Sequence, residues 1–337
     1  MQKFKTDFSE IVKAQMVQEE LFTYFTGYHV LDELIDDKDI SDIKIISFDK
    51  IRVKRLGKRE DTSVHFKSDQ ELKQFTEFIA AKNQVSISRA HAMQSFTDKS
   101  SNRDFILRFN ISQPIINSVD APYIHIRKIP KQKPSLEDLQ ELDMLTKEHA
   151  EYLKKQITRG YVLIAGKGAS GKTTLLNALL DEIPKDKSVL VIQENEELFS
   201  KVHPDMMFQH ILEQKGESKI NYGLKELSIN ALLIDLDYIV IGEIKGGEAL
   251  YFLNAAYTGH LGLATVHGQD GEAALYKLAD YVKYEADYSQ EEIKKMLGCI
   301  STVCYMKDFK LHTITEVKVD HKGLLTTRNV YERENAV

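Results

Sequence analysis

Residues 166 to 173 read GKGASGKT, fit the pattern G-x-x-x-x-G-K-[ST], follow the apolar run YVLIAG and precede the helix-forming run TLLNALL. That context constrains the fold: a buried strand has to deliver the chain to the loop, and a helix has to begin as the loop ends. Gly166, Gly168 and Gly171 are expected to let backbone N–H groups turn inward around phosphate oxygens. Lys172 would bring charge to the β and γ phosphates, and the Thr173 hydroxyl would face Mg²⁺. With Lys167, Ala169, Ser170 and Thr174 these residues form the candidate nucleotide-binding set. ATP and Mg²⁺ are the cofactors the pattern implies.

Downstream of Pro134 the chain alternates helix and strand, with YVLIAG, SVLVIQ, DYIVIGEI and LGLATVH as continuous apolar strands. Strands apolar along their whole length predict a mostly parallel sheet buried on both faces, hence an α/β fold. Ser135 with Asp138 is a capping-box pattern that opens a helix over SLEDLQELDMLT. QENEEL, after SVLVIQ, is read as the start of the next helix.

The first part of the chain reads differently. A polar helical stretch over about residues 6–37 has Ile11, Met16, Leu21 and Phe25 at helical spacing. DIKIISF, KIRVKRLG, FILRFNIS and YIHIRKI alternate as half-buried strands do, and DQELKQFTEFIAAKNQ sets Leu72, Phe75, Phe78 and Ile79 on one helical face. This predicts an α+β domain over 1–128. IPKQKPS, with Pro130 and Pro134, interrupts both periodicities and is read as a linker over 129–134, before a domain over 135–337.

Carboxylates mark the chemistry beside the loop. Asp237 opens the strand DYIVIGE and Glu243 closes it, at the end where ligands of open α/β sheets gather. Glu243 is therefore a candidate to orient water or, through water, Mg²⁺. Glu194 and Glu197 in QENEEL are expected at the same sheet edge. His260 and His267 flank the apolar run of TGHLGLATVHG, a placement open to metal binding, base chemistry or packing.

Composition removes other answers. The 337 residues carry a formal charge of −6, so no global basic field recruits nucleic acid or an anionic membrane. Cys299 and Cys304 are the only cysteines, and a lone C-x₄-C pair makes a poor zinc site. The charged N-terminus lacks the apolar core of a secretory leader, and no run reaches the ~18 apolar residues that span a bilayer.

GKGASGKTTLLNALL, VIQENEEL, DYIVIGEIKGGEAL and TGHLGLATVH resemble, in order, the Walker A, Asp-box, Walker B and His-box motifs of the traffic ATPases that power type II and type IV secretion, conjugation and pilus assembly. Upstream, ELIDDKDISDIKI, IRVKRLGKR, FILRFNIS and YIHIRKIPKQKPSLEDL resemble that family's N-terminal domain and linker, so the likeness covers roughly residues 28–310. The resemblance implies a RecA-like ATPase domain behind an N-terminal α+β domain. It also implies a homo-hexamer at the cytoplasmic face of a membrane-embedded machine, peripherally associated and without a span of its own. His260 and His267 match the family's two His-box residues, which support the γ-phosphate. Arg108 and Arg127 match arginines that its N-terminal domain points at phosphate.

The chain also departs from the family's pattern. Gln193-Glu194 stands where the Asp box has Glu-Asp, Lys245 replaces an arginine after Walker B, and Leu233 and Asp235 occupy the positions of two type IV arginines. The GGEA after Walker B resembles the type IV and tight-adherence branch, whereas the histidine spacing resembles the type II and pilus branch, whose assembly and retraction motors are the alternative. Gln193 and Lys245 also suit a nucleotide-gated scaffold with little turnover.

Overall fold

The computed structural model describes residues 27–214, 220–319 and 324–333. The helical expectation at Ile11, Met16, Leu21 and Phe25 lies outside the described residues. The chain forms two compact units that meet in sequence at Gln132 and Lys133.

The first unit contains α1 (Asp32–Asp36), β1 (Ile40–Ser47), β2 (Lys50–Arg55), β3 (Lys58–Asp61), α2 (Asp69–Lys82), β4 (Met93–Asp98), β5 (Phe105–Ser112) and β6 (Tyr123–Pro130). Its strands form one antiparallel sheet in the order β3-β2-β1-β6-β5-β4. Period-two alternation turns Ile43, Ile45, Leu107, Phe109, Ile124 and Ile126 to one face, where they pack in a core with Leu72, Phe75 and Ile79 of α2. Ser68 caps α2 by accepting the Glu71 N–H. Two elements have no apolar signature in the sequence. β3 is exposed along its length and lies at the sheet edge, where charged residues guard against pairing with another chain. β4 forms the opposite edge. The expected linker also loses its first two residues to β6, because Pro130 closes the ladder opposite Phe105, a strand end where a missing N–H is tolerated.

The second unit contains α3 (Leu136–Glu141), α4 (Lys147–Gln156), β7 (Tyr161–Gly166), α5 (Lys172–Leu180), β8 (Val189–Gln193), β9 (Met206–His210), β10 (Leu212–Gln214), β11 (Ile220–Tyr222), α6 (Leu224–Ala231), β12 (Tyr238–Ile244), α7 (Glu248–Tyr257), β13 (Leu261–His267), α8 (Gly271–Val282), α9 (Gln290–Leu297), β14 (Ile300–Lys307), β15 (Lys310–Val319) and β16 (Leu325–Glu332). An eight-stranded sheet runs β16-β15-β14-β7-β13-β12-β8-β9. It is parallel from β14 to β9, and β15 and β16 extend it antiparallel. Val162 and Ile164 of β7 join the core around α5, and Tyr161, Leu163 and Ala165 join the one around α7 and α8, so both faces are covered.

Ser135 and Asp138 form the expected capping box, but SLEDLQELDMLT is not one helix. The chain turns through Asp143 at φ +53°, and Thr146 caps α4 by accepting the His149 N–H. Nor does QENEEL begin a helix: it is a turn, followed by β9 and the β10–β11 hairpin before α6. Among the described residues no helix is long and apolar enough to cross a membrane. Cys304 is buried, Cys299 half-buried, and burial pushes both thiols up to about 12.

Candidate nucleotide site

β7 ends at Gly166 and α5 begins at Lys172, so the loop between them lies at the carboxyl edge of the parallel strands. Its turns are left-handed at Gly166 (φ +156°), Ala169 (φ +58°) and Gly171 (φ +97°), which alternates backbone directions and gathers N–H groups into an anion-binding concavity. A Cβ on Gly166 would stand 2.5 Å from both Met306 O and Ser170 Oγ. Gly168 is not among the left-handed positions, and Ala169 makes that turn instead. Ser170 is 5% exposed, and its Oγ has no hydrogen-bond partner among the described residues.

Lys172 is also 5% exposed. Its ammonium donates to Gly166 O (3.1 Å) and Lys167 O (3.0 Å) and lies 3.8 Å from Glu243 Oε1. Burial pulls it below the ordinary lysine value, and Glu243 opposes that.

Glu243 reaches the loop because β12 departs from regular pairing. Ile241 pairs with Ala264, whereas Ile244 pairs with Val266, so β12 carries one residue more than β13 between these points. Ile239, Ile241 and Ile244 consequently share one core, which strict alternation forbids. The buried Thr265 hydroxyl donates to Gly242 O (2.7 Å) across the irregularity. Beyond it, Glu243 Oε1 lies 3.0 Å from His267 Nε2, and Oε2 lies 3.3 Å from Lys245 Nζ. Lys245 continues to Glu194 Oε2 at 2.6 Å. Burial works to lower the Lys245 ammonium, but Glu194 and Glu243 hold it above the ordinary lysine value. Register explains His267: it pairs with Gly166, so β13 ends beside the start of the loop.

Gln193, where the resemblance expects a carboxylate, is a brace. It is 3% exposed, its Nε2 donates to Leu198 O (3.1 Å), and its Oε1 accepts the Glu197 and Leu198 N–H groups (3.0 and 2.8 Å). A carboxylate keeps the two acceptor bonds and turns oxygen toward the Leu198 carbonyl. Gln193→Glu is therefore expected to lose about 1–3 kcal/mol of stability, the usual effect of leaving a buried polar group unsatisfied. The urea unfolding midpoint at neutral pH measures it, and an unchanged midpoint refutes it. Of the two expected acidic residues, Glu194 connects to Glu243 through Lys245. Glu197 takes part in the turn with its backbone, its carbonyl accepting from Asn177 Nδ2 (3.1 Å).

The two histidines do not share a site within one chain. His260 precedes β13 and His267 ends it, so the strand separates them by roughly 20 Å at ~3.3 Å per residue. His260 Nδ1 lies 3.0 Å from Ala255 O and 2.8 Å from Thr258 Oγ1, tied to the end of α7. A shared metal is thereby excluded, and so is a place for His260 beside Lys172 of its own chain. Asp237 stands at the same far edge and accepts from Ser188 N–H (2.9 Å) and Lys187 Nζ (3.0 Å). Arg108 and Arg127 belong to the first unit, where they are cross-strand neighbours on the sheet face opposite the core. Arg127 Nε and His125 Nε2 lie 3.2 and 3.1 Å from Asp42 Oδ1. Burial works to raise the Asp42 carboxyl, but His125, Ser41 and Arg127 hold it well below the usual range.

A parallel strand, a phosphate-type loop, a helix opened by a buried lysine and a carboxylate on a nearby strand end define a P-loop nucleotide-binding domain. Residues 26–302 match the model of the type II/IV secretion system protein family, and the chain belongs to that family. It is 34% identical over 141 residues to the type IV secretion system protein VirB11 of Bartonella henselae, covering 40% of this chain and 39% of that one. The chain thus spans about two fifths of that relative's length. It is 26% identical over 286 residues to the probable conjugal transfer protein TrbB of Sinorhizobium fredii, covering 78% and 77% of the two chains. Among solved structures, the pilus retraction motor PilT with bound ADP superposes with a TM-score of 0.62 at 17% identity, covering 91% of this chain and 83% of that one. The Legionella pneumophila ATPase DotB gives 0.60 at 20% identity, covering 88% and 78%. Both likenesses show the fold.

Proposed function

We propose that the chain hydrolyses ATP at this site and acts as the motor of a secretion, conjugation or pilus-assembly machine, as a homo-hexamer at the cytoplasmic face of a membrane. The observation that carries hydrolysis is the placement of Glu243, with Oε1 3.0 Å from His267 Nε2 and 3.8 Å from the buried Lys172 ammonium. Lys172 exchanges the Gly166 and Lys167 carbonyls for phosphate oxygens, and loop N–H groups with the unpartnered Ser170 hydroxyl complete the cradle. The half-buried Thr173 hydroxyl and, through water, Glu243 are the groups that would hold Mg²⁺, which would supply positive charge to the phosphates. Glu243 orients the attacking water and accepts its proton. His267 keeps that carboxylate in place, and Lys245 with Glu194 holds its other oxygen.

Phosphate release from the full chain with Mg·ATP tests this, and no release above background refutes it. That outcome favours the second reading, a nucleotide-gated scaffold, for which the Lys245 contact is the observation: an ammonium 3.3 Å from Glu243 occupies a carboxylate oxygen that water would otherwise use. His267→Ala is expected to lower kcat roughly 10²-fold, the usual effect of a small misplacement of a reacting group, with nucleotide affinity within a few-fold. A chelator selective for zinc should change nothing. Loss of activity to that chelator, or an unchanged kcat in the variant, counts against the role given to His267.

A further inference from the structure

The segment joining the two units is held on both sides of one residue. Lys131 donates its backbone N–H to Asp104 O (2.8 Å) and its ammonium to Asn102 O (2.6 Å) within the first unit. Lys133, the first residue of the second unit, has a side chain only 8% exposed, with Nζ 2.7 Å from Asn177 O and 2.8 Å from Asp181 Oδ1. Gln132, between them, is exposed.

Both partners of Lys133 lie toward the end of α5, the helix that Lys172 begins. Asn177, 7% exposed, donates from Nδ2 to Glu197 O (3.1 Å) and accepts the Phe199 N–H at Oδ1 (3.1 Å). Asp181 accepts from Ser200 Oγ (2.6 Å). Glu197, Phe199 and Ser200 follow Glu194 in the turn that leaves β8, and Glu194 holds Lys245 beside Glu243. The end of α5 does not need Lys133 as a simple cap. A cation is favoured at a helix C-terminus, and Lys185 already supplies one, its ammonium donating to Asp181 O (2.7 Å). Lys133 is instead a charge taken out of water and brought from the joining segment, and burial pulls it below the ordinary lysine value while Asp181 opposes.

We propose that Lys133 is a positioning residue: through Asn177 and Asp181 it sets the acidic turn that carries Glu194, so that strain in the Lys131–Lys133 segment reaches the surroundings of Glu243. The kinetic half of this proposal rests on the hydrolysis reading above, and the structural half does not.

The test uses the full chain with Lys133→Met, which keeps the length of the stem and removes the charge, and Lys133→Arg, which restores it. In nucleotide-free protein, hydrogen exchange over residues 194–200 is expected to quicken at least tenfold in the Met variant, with β7 and β13 unchanged. Its kcat should fall about tenfold or more, as for a displaced catalytic group, with ADP affinity within threefold. The Arg variant should recover both. Wild-type exchange over 194–200 in the Met variant overturns the proposal. So does faster exchange spread evenly over the second unit with a matching loss of Tm, which marks a merely structural lysine. If the wild-type chain releases no phosphate, the hydrolysis reading falls, and the exchange comparison alone decides whether Lys133 sets the turn.

Discussion

Lys172→Ala is expected to weaken ATP binding roughly 10²- to 10³-fold and to bring phosphate release to background. The side chain is 5% exposed and sits among the Gly166 and Lys167 carbonyls and the Glu243 carboxylate, so its charge works where water screens little. Removing one partner of a buried charge pair costs about 3–5 kcal/mol, which at about 1.4 kcal/mol per tenfold is roughly two to three and a half decades in affinity. The negative charge of Glu243 adds to the loss, since without the Lys172 ammonium it faces the phosphates with Lys245 alone of the two lysines beside it. Titration of a fluorescent ATP analogue against both proteins measures the effect. Affinity within a few-fold of wild type means the phosphates do not sit in this loop.

The second large effect separates binding from chemistry. Glu243→Gln is expected to bind ATP as tightly as wild type or tighter, and to lower turnover by about 10²- to 10⁴-fold, the usual contribution of a positioned base. The amide has nearly the same shape and can still meet His267, but it accepts no proton from water. Affinity holds or rises because a negative charge 3.8 Å from Lys172 is removed, leaving the ammonium to the phosphates. Single-turnover measurement of bound ATP and released phosphate resolves the two quantities. Normal turnover in this variant means another group activates the water, and Glu194, one lysine away, becomes the first to examine.

Much of this site was legible before any coordinates. The loop needed only its own residues and flanks, because a glycine-rich turn between an apolar strand and a helix is a local arrangement. Glu243 closes an apolar strand, and in a parallel sheet such ends meet at one edge, whereas His267 is singled out by the His-box resemblance. His260 comes from the same resemblance, and strand direction puts it at the other end of β13. Spacing along QENEEL says only that carboxylates are near, and the turn ties Glu194 to Lys245.

Period-two and continuous apolar runs, the Ser135–Asp138 cap and the glycine-rich loop follow from interactions within a few residues of chain, so the sequence alone determined an α/β order with that loop at one edge of the sheet. Interactions between distant segments were left to the tertiary structure. The extra residue in β12 exists because β13 offers two positions against three, with the Thr265 hydroxyl holding the gap. Gln193 is a brace because the chain folds back to present the Leu198 carbonyl to its amide. β15 and β16 join the sheet because β14 leaves a strand edge to be paired. Each depends on which backbone comes to lie beside which, and periodicity along one strand carries no record of its neighbour.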